Sequence, residues 1–285
     1  MIDGRLRIYY LRKFLRCVQQ ATNRLKIVLK AMFIRILGEC LDALILCGGF
    51  ATRLEPITLF VPKPLLPVEG RPILDHILDG IAILGVNRIV LSTNKKFSNQ
   101  FKYWAENKNA SGFKMPIEIV VEPTMHHGEK FGAIKGIDYT VEKAGFKDDL
   151  LIIAGDNFYT FDLNRMVDAF RKSGKTTIAV YDVKSVDEAR RFGVVHLDGS
   201  RVVGFEEKPS NPRSTLISTG VYLFPAVMLK KFHEYMSDGN NPDAPGYFLQ
   251  WLIGKESVEG VVYNDKWYDI GTIDTYKEVF DSHFK

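Results

Sequence analysis

The stretch Leu44–Val68, LILCGGFATRLEPITLFVPKPLLPV, decides how the rest of the chain is read. An apolar run ends at Gly48 and Gly49, passes Arg53 and four prolines, and holds Lys63 between Pro62 and Pro64. The run before the glycines, DALILCG, reads as a buried strand. Glycine has no Cβ, so a ligand can approach the backbone, and successive N–H groups in such a turn form a concave anion site. Arg53 and Lys63 add fixed positive charge suited to phosphate oxygens. The flanking prolines restrict where the Lys63 ammonium points. The loop therefore reads as a triphosphate cradle. It is neither the dinucleotide fingerprint GxGxxG nor the phosphate loop GxxxxGK[ST].

Downstream, short β-rich runs alternate with helical stretches. Strands are expected at RIVLST, IEIVV, LLIIAG and TTIAVYDV, and helices at Ile73–Leu84, Phe97–Asn107, Lys130–Lys143 and Leu163–Arg171. Near-continuous apolar strands in such alternation imply an α/β fold, a mostly parallel twisted sheet with helices on both faces. Ligands of these sheets bind beyond the carboxyl ends of the strands, where Gly48 and Gly49 lie. Past residue 190 the texture turns β-rich (FGVVHL, RVVGFEE, STLISTGVYLF), which predicts a smaller second lobe of one compact domain, residues 41–285.

Residues 1–41 hold nine Lys or Arg against two acids, whereas residues 42–285 carry 29 bases and 32 acids. The basic end, with Leu11, Phe14, Leu15, Val18, Leu25, Val28, Leu29, Met32, Phe33 and Ile36 at helical spacing, predicts an amphipathic helical extension over 1–40. Three partners stay open for residues 5–37: the body, a second copy of the chain, or a membrane surface touched peripherally. Cys17, Cys40 and Cys47 form no CxxC pair, which argues against a disulfide framework or a zinc site and for a cytoplasmic location. No apolar run reaches the ~18 residues that a transmembrane helix needs. Nothing points to nucleic acid.

Two aspartates complement the cradle. Asp156 follows the strand LLIIAG, and Asp269 lies in WYDIGT ahead of a helix that Thr272 can cap. Carboxylates at two such points suit a Mg²⁺ ion that takes few protein ligands and leaves its other positions to phosphate and water. In FEEKPSNPRSTLISTGVYLF, Lys208 stands between two acids and a proline, while Ser218, Thr219, Gly220 and Tyr222 share the next strand. Acids beside a cation suit a phosphorylated sugar. His126 and His127 sit in a strand-to-helix loop, where adjacent side chains point apart, and read as exposed rather than as metal ligands. Cys47 reads as a small buried thiol.

LILCGGFATRLEPIT, VPKPLLPV, AGDN, RFGVV, FEEKP, STGVY and WYDIGTIDTY, in this order, resemble the sugar nucleotidyltransferases, the nucleoside-diphosphate-sugar pyrophosphorylases, and among them glucose-1-phosphate thymidylyltransferases. The resemblance implies a Rossmann-like nucleotidyltransferase fold with a β-rich sugar-binding lobe, and the joining of a nucleoside triphosphate (dTTP or UTP) to a sugar 1-phosphate (glucose 1-phosphate) in a homo-oligomer. It places nucleotide contacts on Leu46, Gly48, Gly49, Arg53, Lys63, Glu122, Gly132 and Asp156, and sugar-phosphate contacts on Gly193, Glu207, Lys208, Gly220 and Tyr222. The Mg²⁺ ligands would be Asp156 and Asp269, and the catalytic set Arg53, Lys63, Asp156, Lys208 and Asp269. One departure is Glu122, where thymidylyltransferases carry a glutamine that reads the base; an ionised carboxylate only accepts hydrogen bonds. The alternatives are a mannose-1-phosphate guanylyltransferase and a non-catalytic regulatory paralogue that binds nucleotide sugars. A glycosyltransferase would need a DxD-type metal motif in place of the PKP loop.

Overall fold

The structure, a computed structural model, describes residues 40–281. The expected amphipathic extension, apart from Cys40, lies outside the described residues. The chain runs β1 (Leu41–Cys47), β2 (Pro67–Val68), β3 (Arg71–Pro72), α1 (Ile73–Ala82), β4 (Ile89–Asn94), α2 (Ser98–Ala110), β5 (Ile117–Glu122), α3 (Ala133–Ala144), β6 (Asp149–Ala154), β7 (Asn157–Tyr159), α4 (Asn164–Ser173), β8 (Thr176–Asp182) and α5 (Val186–Ala189). It continues with β9 (Gly193–Asp198), β10 (Arg201–Glu207), β11 (Leu216–Phe224), α6 (Lys230–Ser237), α7 (Pro245–Ile253), β12 (Val258–Tyr263), β13 (Trp267–Asp269) and α8 (Ile273–Asp281).

One sheet of nine strands, ordered β5-β4-β1-β6-β11-β8-β12-β10-β9, organises the molecule. β5, β4, β1 and β6 are mutually parallel. β11 then inserts antiparallel between β6 and β8, so two strands that follow one another through α4 are not neighbours. The β-rich half thus extends the same sheet rather than building its own.

Alternation along each strand feeds two apolar layers. Ala43, Ile45, Ile89, Leu91, Leu151 and Ile153 face the layer shared with α1, α2 and α4. Leu44, Val90, Leu150 and Ile152 face the layer shared with α3, α6 and α7. That two-sided burial is why these strands read as unbroken apolar runs.

Three helix starts differ from the sequence reading: α4 begins at Asn164, one residue past Leu163, and two more have a visible cause. α2 begins at Ser98, where the buried Asn94 side chain accepts from the Phe97 N–H at 3.0 Å. α3 begins at Ala133 rather than Lys130, because Gly132 has φ +80 and stops the helix from running further back. A Cβ at Gly132 would lie 2.5 Å from the Pro242 carbonyl oxygen. The first free N–H groups of α3, from Ala133 and Ile134, donate to the Asp243 and Pro242 carbonyls at 3.0 Å each.

Candidate functional site

The carboxyl ends of β1 and β6, the 3-10 turns that follow β1, the ends of β10 and β13 and the irregular middle of β11 surround a cleft of about 450 Å³. Of the residues expected in the site, Gly49, Arg53, Lys63, Asp156, Gly193, Glu207, Lys208, Gly220, Tyr222 and Asp269 line it.

Lys63 and the two aspartates form its floor. Lys63 opens a 3-10 turn (Lys63–Leu65), with Pro62 extended before it and Pro64 inside it. Its side chain is 11% exposed, and its Nζ meets Asp156 Oδ2 at 2.6 Å. Asp269 lies opposite Asn157 in the β13–β7 ladder, which brings it beside Asp156 although 113 positions separate them in the chain. The Ile270 N–H donates to the Asp156 carbonyl oxygen at 3.3 Å, a second tie between the segments. Burial, followed by the charge of Asp156, raises the Asp269 carboxyl above its ordinary pKa, against the pull of Lys63, Arg191 and Arg53. Thr272 caps α8, its Oγ1 accepting from the Thr275 N–H at 3.2 Å.

Among the described residues no group of three or more His, Cys, Asp and Glu is placed to hold a metal. The pair of aspartates is a donor set that fits a hard divalent ion with few protein ligands. His126 and His127 are exposed; His127 lines the cleft mouth with Lys130, its ring edge-on to Phe50.

Four expected nucleotide contacts lie behind the cleft wall. Leu46 O accepts from the Gly155 N–H at 2.9 Å, and Gly48 O accepts from Asn94 Nδ2 at 3.1 Å. Glu122 is buried at the end of β5 and accepts from Ser92 Oγ at 2.7 Å. It sits between Gly48 and Gly136, where an added Cβ would approach its Oε1 to 2.7 and 2.9 Å. Burial raises its pKa, while the Ser92 hydroxyl opposes the shift. Gly132 packs against residues 242–243, as described above. Gly49, by contrast, has open space around it, as a close ligand approach requires. Cys47 is buried and its thiol is held far from ionisation by burial and by the Asp156 and Glu122 carboxylates, which leaves it no nucleophilic role.

On the opposite side, β11 carries Gly220 in an irregular stretch between Ser218 and Tyr222, with φ +80. A Cβ there would press Ala154 and the Asn157 amide, which itself donates to Thr219 O at 2.6 Å. The buried Tyr222 hydroxyl accepts from Ser218 Oγ at 3.2 Å. Lys208 is exposed, adopts φ +47, and is tied by its N–H to Phe192 O at 3.1 Å.

The sequence reading missed Arg191, Phe192, Phe205, Pro245, Gly246, Trp267 and Gly271, all lining the cleft. Phe192 directly adjoins Gly193, Arg191 precedes it in RFGVV, and Gly271 lies in WYDIGT, so adjacency could have found them. Nothing local marks Pro245 and Gly246 at the start of α7.

The nucleotidyl transferase family profile matches residues 42–284. Relatives include a protein from Sulfolobus acidocaldarius provisionally named mannose-1-phosphate guanyltransferase (29% identical over 241 residues, 84% of this chain and 62% of the relative). The bifunctional protein GlmU of Methanocaldococcus jannaschii is 31% identical over 232 residues (81% and 51%). The glucose-1-phosphate adenylyltransferase of Mycoplasma mobile is 30% identical over 253 residues (83% and 65%). The chain thus spans less than two thirds of these relatives' length. In fold it is similar to a UDP-glucose pyrophosphorylase solved with UDP-glucose, at a TM-score of 0.73 and 19% identity, over 86% of this chain and 98% of that one. With its sheet, its glycine loop and its paired aspartates in this arrangement, the chain belongs to the nucleotidyl transferase family.

Proposed function

We propose that the cleft joins a nucleoside triphosphate to a sugar 1-phosphate, giving a nucleoside-diphosphate sugar and pyrophosphate. One observation carries the reading: Lys63 bridges to Asp156 beside Asp269, between the open Gly49–Arg53 turn and the Glu207–Lys208 corner. A phosphate monoester has its second pKa at about 6, so the sugar phosphate is already a nucleophile at neutral pH and no general base is required. An oxygen of that phosphate forms the new bond to the α-phosphorus. The bond from α-phosphorus to the bridging oxygen breaks, and pyrophosphate leaves with the electron pair.

The protein's task is to hold two anions together. Arg53, Lys63 and the backbone at Gly49 take the triphosphate, while Lys208 and Arg191 stand toward the sugar phosphate. Asp156 and Asp269 would hold Mg²⁺, which neutralises charge developing between the phosphates. Lys63, already paired with Asp156, is fixed where both phosphate groups pass.

For the substrates, the resemblance to thymidylyltransferases supports dTTP or UTP with glucose 1-phosphate. A second reading, guanylyl transfer to mannose 1-phosphate, is supported by the provisional name of the Sulfolobus acidocaldarius relative. Glu122 does not decide between the two, since it is buried behind the cleft wall. Pyrophosphate release measured over dTTP, UTP, GTP, ATP and CTP against several sugar 1-phosphates tests both. Release with no pair in this grid would refute the enzymatic reading.

A further inference from the structure

We infer that Gly246 is a positioning residue for the sugar 1-phosphate: by carrying no side chain it fixes how deep the Glu207 carboxylate sits in the cleft. The inference rests on the reading of Glu207 as a sugar contact. Glu207 ends β10, and its side chain is 10% exposed. Its Oε1 lies 3.9 Å from Lys208 Nζ. Its Oε2 is enclosed by two backbones: a Cβ would come within 3.2 Å of it from Gly193 on β9 and 1.9 Å from Gly246 on α7. The acid therefore occupies a slot made by two glycines 53 positions apart in the chain.

The obstructing atom decides what a methyl at 246 would do. A carboxylate oxygen at the end of a flexible side chain yields before a backbone does, so Glu207 moves and α7 stays. The Phe205 ring edge, 2.6 Å from the same point, must follow it, and Phe205 also lines the cleft. A carboxylate that accepts a sugar hydroxyl is sensitive to such a shift, since a misplacement of about 1 Å can cost up to ~10²-fold, here in kcat/KM for the sugar 1-phosphate. The slot thus couples α7, which packs in the second apolar layer, to recognition of the sugar.

The test is steady-state kinetics of the full chain carrying Gly246→Ala, Glu207→Asp, Glu207→Gln and the double variant Gly246→Ala with Glu207→Asp. Gly246→Ala is expected to raise KM for the sugar 1-phosphate by about tenfold or more, with kcat and the nucleotide KM within about twofold. Because aspartate is one methylene shorter, adding Gly246→Ala to Glu207→Asp is expected to cost less than about a third of that fold-change. If Gly246→Ala leaves the sugar KM unchanged while Glu207→Gln raises it, the slot is refuted and the sugar contact stands. If Glu207→Gln leaves it unchanged, the sugar contact falls, and the slot with it. Should Gly246→Ala fail to fold, the double variant decides: equal failure there shows that helix packing, not the acid, excludes a side chain.

Discussion

Glu122 has almost the shape of glutamine but, when ionised, only accepts hydrogen bonds where glutamine also donates, and Gly48 and Gly136 pack closely on its carboxylate. Its folded pKa is raised from 4.5, so the stabilisation from its protonated form is present below pH 4.5 and lost as pH rises through the folded value. Glu122→Gln, which keeps the volume and removes the charge, should match the wild type in Tm near pH 4. Near pH 8 it should exceed it by about 2–4 °C for each kcal/mol of relieved penalty. Thermal unfolding across pH checks this, and a Tm gain at pH 4 equal to that at pH 8 would show that charge is not the cause. Asp156→Asn should lower kcat by at least about a thousandfold while the fold persists, because an amide repels neither Asp269 nor binds a cation as a carboxylate does. Circular dichroism with a pyrophosphate assay measures both. Ala51, with φ +49 and ψ +42 ahead of the Thr52–Leu54 turn, holds a left-handed conformation that costs an L-residue about 1–2 kcal/mol. Its carbonyl takes the Thr58 hydroxyl at 2.8 Å, which keeps the turn in place. Ala51→Gly should therefore raise Tm modestly while raising KM for the nucleotide, since relief of strain comes with a looser cradle.

Among the elements, α7 connects the apolar layer to the site. Phe248 stacks on Phe232 of α6 with ring centroids 4.4 Å apart, and Trp251 and Tyr235 close the cluster. Those rings fix where α7 begins, and hence where Gly246 meets Glu207. Phe248→Ala should cost about 3–5 kcal/mol of stability, seen in chemical denaturation. It should raise the sugar 1-phosphate KM more than the nucleotide KM. A second seam, α3 against residues 242–243, is closed by backbone hydrogen bonds and by the Lys130–Asp243 ion pair at 2.6 Å. Both partners are largely exposed, so this pair contributes little to stability on its own.

At the scale of the molecule, residues 42–285 carry more acids than bases, yet Arg53, Lys63, Lys130, Arg191 and Lys208 all turn to one cleft. Low-dielectric walls focus that field on incoming anions, and salt screens it with a Debye length of about 10 Å at 0.1 M. kcat/KM for the triphosphate is expected to fall several-fold between about 0.05 and 0.5 M salt, with kcat much less affected. A salt-independent kcat/KM would show that the cations act only at contact. The nine-stranded sheet supplies the rigidity this arrangement requires, since strands buried on both faces cannot drift apart without exposing both layers.

The chain's local chemistry determined the strands, because two-sided burial demands unbroken apolar runs, and it marked the candidate cradle, because glycine, proline and isolated cations carry their meaning at short range. LILCGG, PKP and AGDN could each be read in place for that reason. Only the tertiary structure decided that β11 enters the sheet between β6 and β8, that Lys63 pairs with Asp156, and that Glu122 is enclosed rather than lining the cleft. The slot around Glu207 belongs to the same class, since its walls come from β9 and α7. Contacts between residues far apart in the chain leave no periodic mark on either segment, so sequence could name these groups but not say which of them touch.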